Sequence, residues 1–350
     1  MKDFKVFSKA PEIYCSMLKD IESAKEFVYL ETFSFGNDKI GKRFLDVLIK
    51  KAKQGVKMKL LIDAWGSTAD KTFFKELINY GAEIKFFREF RYVIRIFSKN
   101  HERNHRKLLL IDNDITYIGS ANISYRFIDW REVVLRLNGD ITIPFVKSFI
   151  RTWESSGNFN SRRMKSVFHK GFQIIHDFPS SIHRITERKY STLINQAKKE
   201  IKIETPYFIP TGGIMNALAE AIKRGVKIML IVPCKSDNFL VDVLRDRYLG
   251  RLYNEGINIY YYKPSVLHAK LLIVDDKFFL LGSSNIDYRS FIYQYEINFF
   301  GKNIHIISAL KNHFEETLSQ SELFNYSEWK KRSSLIKTLE LFMHSIRKFL

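Results

Sequence analysis

Two histidine–lysine pairs in this chain share the same wording. His105, Lys107 and Asp112 stand in NHRKLLLIDNDITYIGSAN, and His268, Lys270 and Asp275 stand in LHAKLLIVDDKFFLLGSSN. Both read H-x-K-x(4)-D and both are followed by G-S-x-N, at one common offset of 163 (268 − 105 and 282 − 119). Imidazole suits nucleophilic and proton-transfer roles, because its ordinary pKa is about 6.5. Ammonium groups supply the positive charge that a metal would otherwise bring to a phosphate. The pattern predicts a phosphoryl-transfer site that uses no metal and no cofactor. One neutral imidazole would attack phosphorus while the other, protonated, donates to the leaving oxygen. Ser120, Asn122, Ser283 and Asn285 of the G-S-x-N tails are candidate phosphate-binding donors.

On a strand, residues i and i+2 share a face, so each copy is expected to project its histidine and lysine together. The aspartates that complete the catalytic motifs, Asp112 and Asp275, fall at odd spacing from the histidines and read as structural supports. Glu132 follows His105 by 27 residues (132 − 105) and Glu296 follows His268 by 28 (296 − 268), so each copy offers a carboxylate to orient a histidine. Glu31 and Glu204 are also repeated, and stand open between lining the site and sitting at the core edge.

The duplication reaches beyond the motifs. DIESAKEFVYLETFSF aligns with LINQAKKEIKIETPYF, and LIKKAKQGVKMKLLID with LAEAIKRGVKIMLIVP, setting Gly55 against Gly225 as helix C-caps. Each copy reads as short strand, helix, strand, amphipathic helix, aliphatic strand, then the motif strands. This predicts an α/β protein of two duplicated lobes, each a mixed sheet flanked by helices. If the copies meet about a pseudo-two-fold axis, the active site lies at that interface. The expected lobes are 1–155 and 172–325, each with its own core, joined by a linker at 156–171 and followed by a basic amphipathic helix at 326–350.

At 350 residues, with 45% hydrophobic content, the chain is long enough for two such lobes. Its net charge of +19 favours a polyanionic partner, and charge alone does not choose between nucleic acid and an anionic membrane. Cys15 and Cys234 are the only cysteines, which argues against a disulfide framework. No charge-free window of membrane-spanning length occurs, and the start shows no secretory signal pattern. The basic stretch 88–106 is a candidate for gathering anionic head groups. In the tail, Leu335, Ile336, Leu339, Phe342, Met343, Ile346, Phe349 and Leu350 form an apolar stripe on one helical face, suited to docking on its own lobe or on a membrane interface.

These residues resemble the phospholipase D superfamily, and within it the bacterial cardiolipin synthases. The two histidine motifs specify only the superfamily. The blocks TPYFIP, VPCKSDN and NIDYRSF carry the likeness to cardiolipin synthases, and the resemblance covers nearly the whole chain. It implies phospholipase D-like lobes with the active site at their interface, and transfer of a phosphatidyl group from one phosphatidylglycerol to another, releasing glycerol, through a phosphatidyl-histidine intermediate with His105 as nucleophile. The alternatives are a phospholipase D-type phosphodiesterase and a nuclease of the same superfamily. With no recognised nucleic-acid module, the expected partners are anionic phospholipids and no nucleic acid. The expected form is a monomer held peripherally at the cytoplasmic face of the membrane.

Overall fold

The computed structural model describes residues 1–87, 102–156, 165–345 and 347. Most of the basic stretch 88–106, the middle of the expected linker, and Ile346, Lys348, Phe349 and Leu350 of the tail lie outside the described residues. The first lobe contributes β1 (Asp3–Lys9), β2 (Phe27–Thr32), β3 (Lys57–Asp63), β4 (Glu83–Phe87), β5 (Arg103–Asn104), β6 (Leu108–Ile111), β7 (Ile115–Gly119) and β8 (Arg131–Asn138). The second contributes β9 (Val167–His169), β10 (Phe172–Asp177), β11 (Glu200–Glu204), β12 (Phe208–Ile209), β13 (Lys227–Pro233), β14 (Asn258–Tyr262), β15 (Leu271–Val274), β16 (Phe278–Gly282), β17 (Ile286–Asp287), β18 (Gln294–Gly301) and β19 (Ser321–Leu323).

Among the described residues, the first sheet runs β1-β8-β7-β6-β2-β3-β4, and the second repeats it as β10-β18-β16-β15-β11-β13-β14 with β9 and β19 added at its edges. In both, the strand after the first helix pairs in parallel with the strand after the second helix and antiparallel with the motif strand. The expected duplicated, mixed-sheet architecture is therefore present. Gly55 (φ 86°) and Gly225 (φ 78°) follow the helices Lys39–Lys53 and Gly212–Lys223, where the left-handed backbone favours glycine.

The motif strands explain how the two sheets sit. Leu108 and Leu110 face a core between the sheets, while Leu109 and Ile111 face the outer helices Ala10–Ser23 and Lys39–Lys53. In the second lobe Leu271 and Ile273 face the middle, and Leu272 and Val274 face outward. A strand buried on both sides needs an unbroken apolar run, which LLLI and LLIV supply. The middle core mixes the lobes, with Phe145, Phe149 and Trp153 from the helix Thr142–Ser155 beside Phe299, Ile306 and Phe314. The expectation that each lobe closes its own core is thus only half met. Each lobe has an outer core of its own, but its inner sheet face is covered by its twin.

Two boundaries differ from the sequence reading. Val167–His169, expected in the linker, pairs with β10 as a strand of the second sheet. The tail is not one helix from 326: a short helix Tyr326–Lys330 precedes the helix Ser334–Ser345. Of the apolar stripe, Met343 enters the second lobe's core and Leu339 packs against it. Leu335 (81% exposed) and Phe342 (61%) remain in solvent. Seating is narrower than the stripe because Glu340, on the same face, pairs with Arg332 at 3.0 Å and lies 3.7 Å from Arg247.

Candidate active site

Both motifs begin where the chain leaves its own lobe. β5 pairs in parallel with β18 of the second lobe, and the His105 amide donates to the Tyr295 carbonyl at 2.9 Å. In the mirror arrangement the Arg131 amide donates to the Val266 carbonyl, and the His268 amide donates to the Arg131 carbonyl at 2.7 Å. Neither H-x-K segment lies within a strand. His105 to Lys107 occupy the gap between β5 and β6, and His268 to Lys270 immediately precede β15. The expectation of a continuous motif strand is corrected here, because the backbone must cross between lobes before it joins its own sheet.

The carboxylates cross as well. His105 Nδ1 bonds Glu296 at 3.0 Å, and His268 Nδ1 bonds Glu132 at 2.9 Å. A carboxylate that only accepts makes Nδ1 the protonated nitrogen, which leaves each Nε2 lone pair free to react. The sequence reading paired each histidine with the glutamate of its own copy, whereas the structure exchanges them. Burial alone would raise both carboxyls, but the partner histidine, the lysine beside it and a serine hydroxyl outweigh burial and hold both below the usual range.

Burial acts on the cations too. It lowers His105 to about 4, with Lys107 and Lys270 helping and Glu296 opposing. His268 is lowered by burial against the pull of Glu132. Burial likewise brings Lys107 to about 8 and Lys270 to about 7, against the pull of Glu132 and Glu296. Resting imidazoles are therefore neutral, and a phosphodiester anion entering beside them supplies the charge that lets one take a proton. Each lysine donates one N–H to the carbonyl of its own motif histidine at 2.8 Å, which fixes the ammonium and leaves two donors. Lys107 and Lys270 each act on the other motif's histidine, which places all four groups in one site. The edge of Phe33 meets the His105 ring with centroids 5.1 Å apart, and Trp130 stands 4.9 Å from His268.

The remaining candidates have other places. Asp112 and Asp275 sit at the far ends of β6 and β15 and do not reach the site, although they belong to the motif by sequence. Asp112 accepts from the amides of Lys25, Glu26 and Phe27, and Asp275 from those of Lys198, Lys199 and Glu200. Each is also the first of two positive-φ residues in a tight turn, Asp112–Asn113 and Asp275–Asp276, as in a type I′ hairpin. Ser283 donates to Glu296 and accepts from the Ile297 amide at 2.9 Å; Ser120 accepts from the Val133 amide at 2.9 Å and acts on Glu132. Those hydroxyls serve the glutamates rather than standing ready for phosphate. Asn122 Oδ1 accepts from the Ser34 amide, while Asn285 Oδ1 is buried with no partner among the described residues.

Glu31 and Glu204 prove to be buried supports. Glu31 accepts from Asn104 at 2.8 Å with Arg106 3.8 Å away, and Glu204 bonds His313 at 2.8 Å. Two buried arginines were missed by sequence. Arg106 donates to Thr152 and to the carbonyls of Asp177 and Glu296; Arg131 donates to Thr317, Glu316 and the His313 carbonyl. Aligning the copies hides them, because the matching positions hold Ala269 and Tyr295.

Two like lobes, each lending its histidine's support to the other, are the arrangement of a two-motif phosphodiester-processing enzyme. The family model described as "Cardiolipin synthase, PLD-like domain" matches residues 17–153 and 190–318, so the chain belongs to that phospholipase D-like family. Cardiolipin synthase 1 of Staphylococcus epidermidis is 34% identical over 352 residues, covering 96% of this chain and 71% of the relative. The major cardiolipin synthase of Bacillus subtilis is 33% identical, covering 93% and 70%. Among solved structures, a phosphatidylserine synthase of Haemophilus influenzae superposes with a TM-score of 0.79 at 14% identity, covering 99% of this chain and 95% of that one, which is a likeness of fold.

Proposed function

We propose that the chain makes cardiolipin from two phosphatidylglycerol molecules and releases glycerol. The observation that carries this is correspondence with curated cardiolipin synthases over nearly the whole chain, with both histidine motifs intact. The crossed pair of imidazoles supports a two-step route. His105 Nε2 attacks the phosphorus of the donor lipid, and His268 gives a proton to the departing glycerol oxygen. The second phosphatidylglycerol then loses a hydroxyl proton to His268, its oxygen bonds phosphorus, and the P–N bond to His105 breaks. Lys107 and Lys270 neutralise the equatorial oxygens in both steps.

No helix among the described residues is long and apolar enough to cross a membrane. Peripheral association at the cytoplasmic face is part of the same proposal, supported by the net charge of +19 and the exposed Leu335, Leu341 and Phe342. Incubating purified protein with phosphatidylglycerol vesicles and measuring products by mass spectrometry tests the reading. Cardiolipin and glycerol in equal amounts are expected. Phosphatidic acid in place of cardiolipin would make the enzyme a hydrolase.

A further inference from the structure

A site that gathers phosphates should be lined by cations, yet beyond Glu132 and Glu296, which hold the histidines, a further carboxylate, Asp237, stands on the side of Lys270. Asp237 lies close enough to Lys270 to raise its pKa. Its side chain is 29% exposed. Tyr207 donates to Asp237 Oδ1, and burial keeps that phenol protonated, well above its ordinary range, so it serves only as donor to the carboxylate. The other oxygen faces Arg126 of the first lobe at 3.8 Å, beyond hydrogen-bond reach, and so keeps its lone pairs. Asn285 is next in register: Phe208 pairs with Ile286, so the residues just before them, Tyr207 and Asn285, run side by side. The buried Asn285 Oδ1 is the acceptor already noted as lacking a partner. In the first copy the matching oxygen, on Asn122, is occupied by the Ser34 amide.

Acceptors with spare lone pairs at an anion site have no use for a phosphate, but they fit hydroxyl groups, which donate. Position agrees with the chemistry. An oxygen displacing His105 from phosphorus must enter in line from the opposite side, that of His268, and Asp237 lies on this side: Arg126, which faces it, stands 5.8 Å from the Phe127 ring, and Phe127 meets Trp130, the neighbour of His268. The residues also come from the three blocks TPYFIP, VPCKSDN and NIDYRSF. We infer that Asp237, held by Tyr207 and joined by Asn285, is the subsite for the acceptor alcohol and selects a polyol head by accepting from the hydroxyl beside the attacking one. This rests on the phosphatidyltransferase reading. In the step it serves, the attacking O–H gives its proton to His268, the O–P bond forms, and the P–N bond to His105 breaks.

The test uses the full chain with phosphatidylglycerol vesicles and two competing soluble acceptors, deuterated glycerol and 1-propanol, comparing the labelled phosphatidylglycerol and phosphatidylpropanol formed. Asp237→Asn and Asp237→Ala should lower the ratio of glycerol to propanol transfer about tenfold, as the loss of one hydrogen bond to a charged group does. Arg126→Ala, which only removes the ion pair, should leave the ratio as in the wild type. An unchanged ratio in the Asp237 variants, with both products falling together, overturns the subsite and makes Asp237 an inter-lobe tie. An equal fall in Arg126→Ala does the same. If the wild type forms phosphatidic acid with neither alcohol product, the transferase reading itself fails and takes the subsite with it.

Discussion

At the scale of single residues, the catalytic question is which proton sits where. The Nδ1 hydrogen bonds of His105 to Glu296 and of His268 to Glu132 predict that each glutamate governs the histidine of the other copy. Glu296→Gln and Glu132→Gln should each lower kcat by about 10 to 100-fold, the usual order of cost for losing a carboxylate that orients a working histidine. Proton NMR of the imidazole N–H signals separates this from pairing within a copy, since Glu296→Gln should move the His105 signal and leave that of His268. Burial sets the pH profile. His105, brought to about 4, stays neutral well below 6.5, so activity should not fall at the ordinary histidine pKa on the acid side. Lys107 at about 8 and Lys270 at about 7 lose charge as pH rises through that range. The alkaline fall of kcat/KM should therefore lie near pH 7 to 8 and belong to the lysine pair as a coupled unit. A fall only above pH 10 would contradict it.

At the scale of elements, the motif aspartates hold turns and strand ends. Asp275→Ala removes one acceptor from three amides and places alanine at φ 54°, so it should destabilise the fold by about 1–3 kcal/mol in urea denaturation with kcat nearly retained. Asp275→Asn, which tolerates that backbone, should cost less. An Asp275→Ala variant of full stability and lost turnover would return the residue to the chemistry. Odd spacing from the histidine already pointed this way in the sequence, and the series of elements in each copy was legible too, because unbroken apolar runs such as LLLI and LLIV and a repeated wording survive without any tertiary knowledge. The exchanged glutamates were not legible. An alignment of the copies pairs Glu132 with Glu296 but carries nothing about which histidine the end of β8 or β18 reaches. The serines were misjudged for a related reason. A G-S-x-N tail looks alike whether its hydroxyl meets phosphate or a carboxylate, and only the position of Ser283 against Glu296 decides.

At the scale of the molecule, the shared middle core should make the lobes unfold together. Phe145, Phe149 and Trp153 pack in one cluster with Phe279, Phe299 and Phe314, so exposing one lobe strips apolar cover from the other. Calorimetry should give one transition with equal calorimetric and van't Hoff enthalpies; two resolved transitions would show independent lobes. The crossed supports have a further meaning for ancestry. A polypeptide holding one copy would be inert alone and would work only as a two-fold pair, with activity falling away on dilution. Covalent fusion replaces that encounter by a fixed local concentration, so the rate becomes proportional to protein at any dilution. Fusion also ends the requirement that the halves be identical. Arg106 and Arg131 are what such freedom leaves behind: both buried guanidinium groups belong to the first half, and the corresponding positions of the second hold Ala269 and Tyr295.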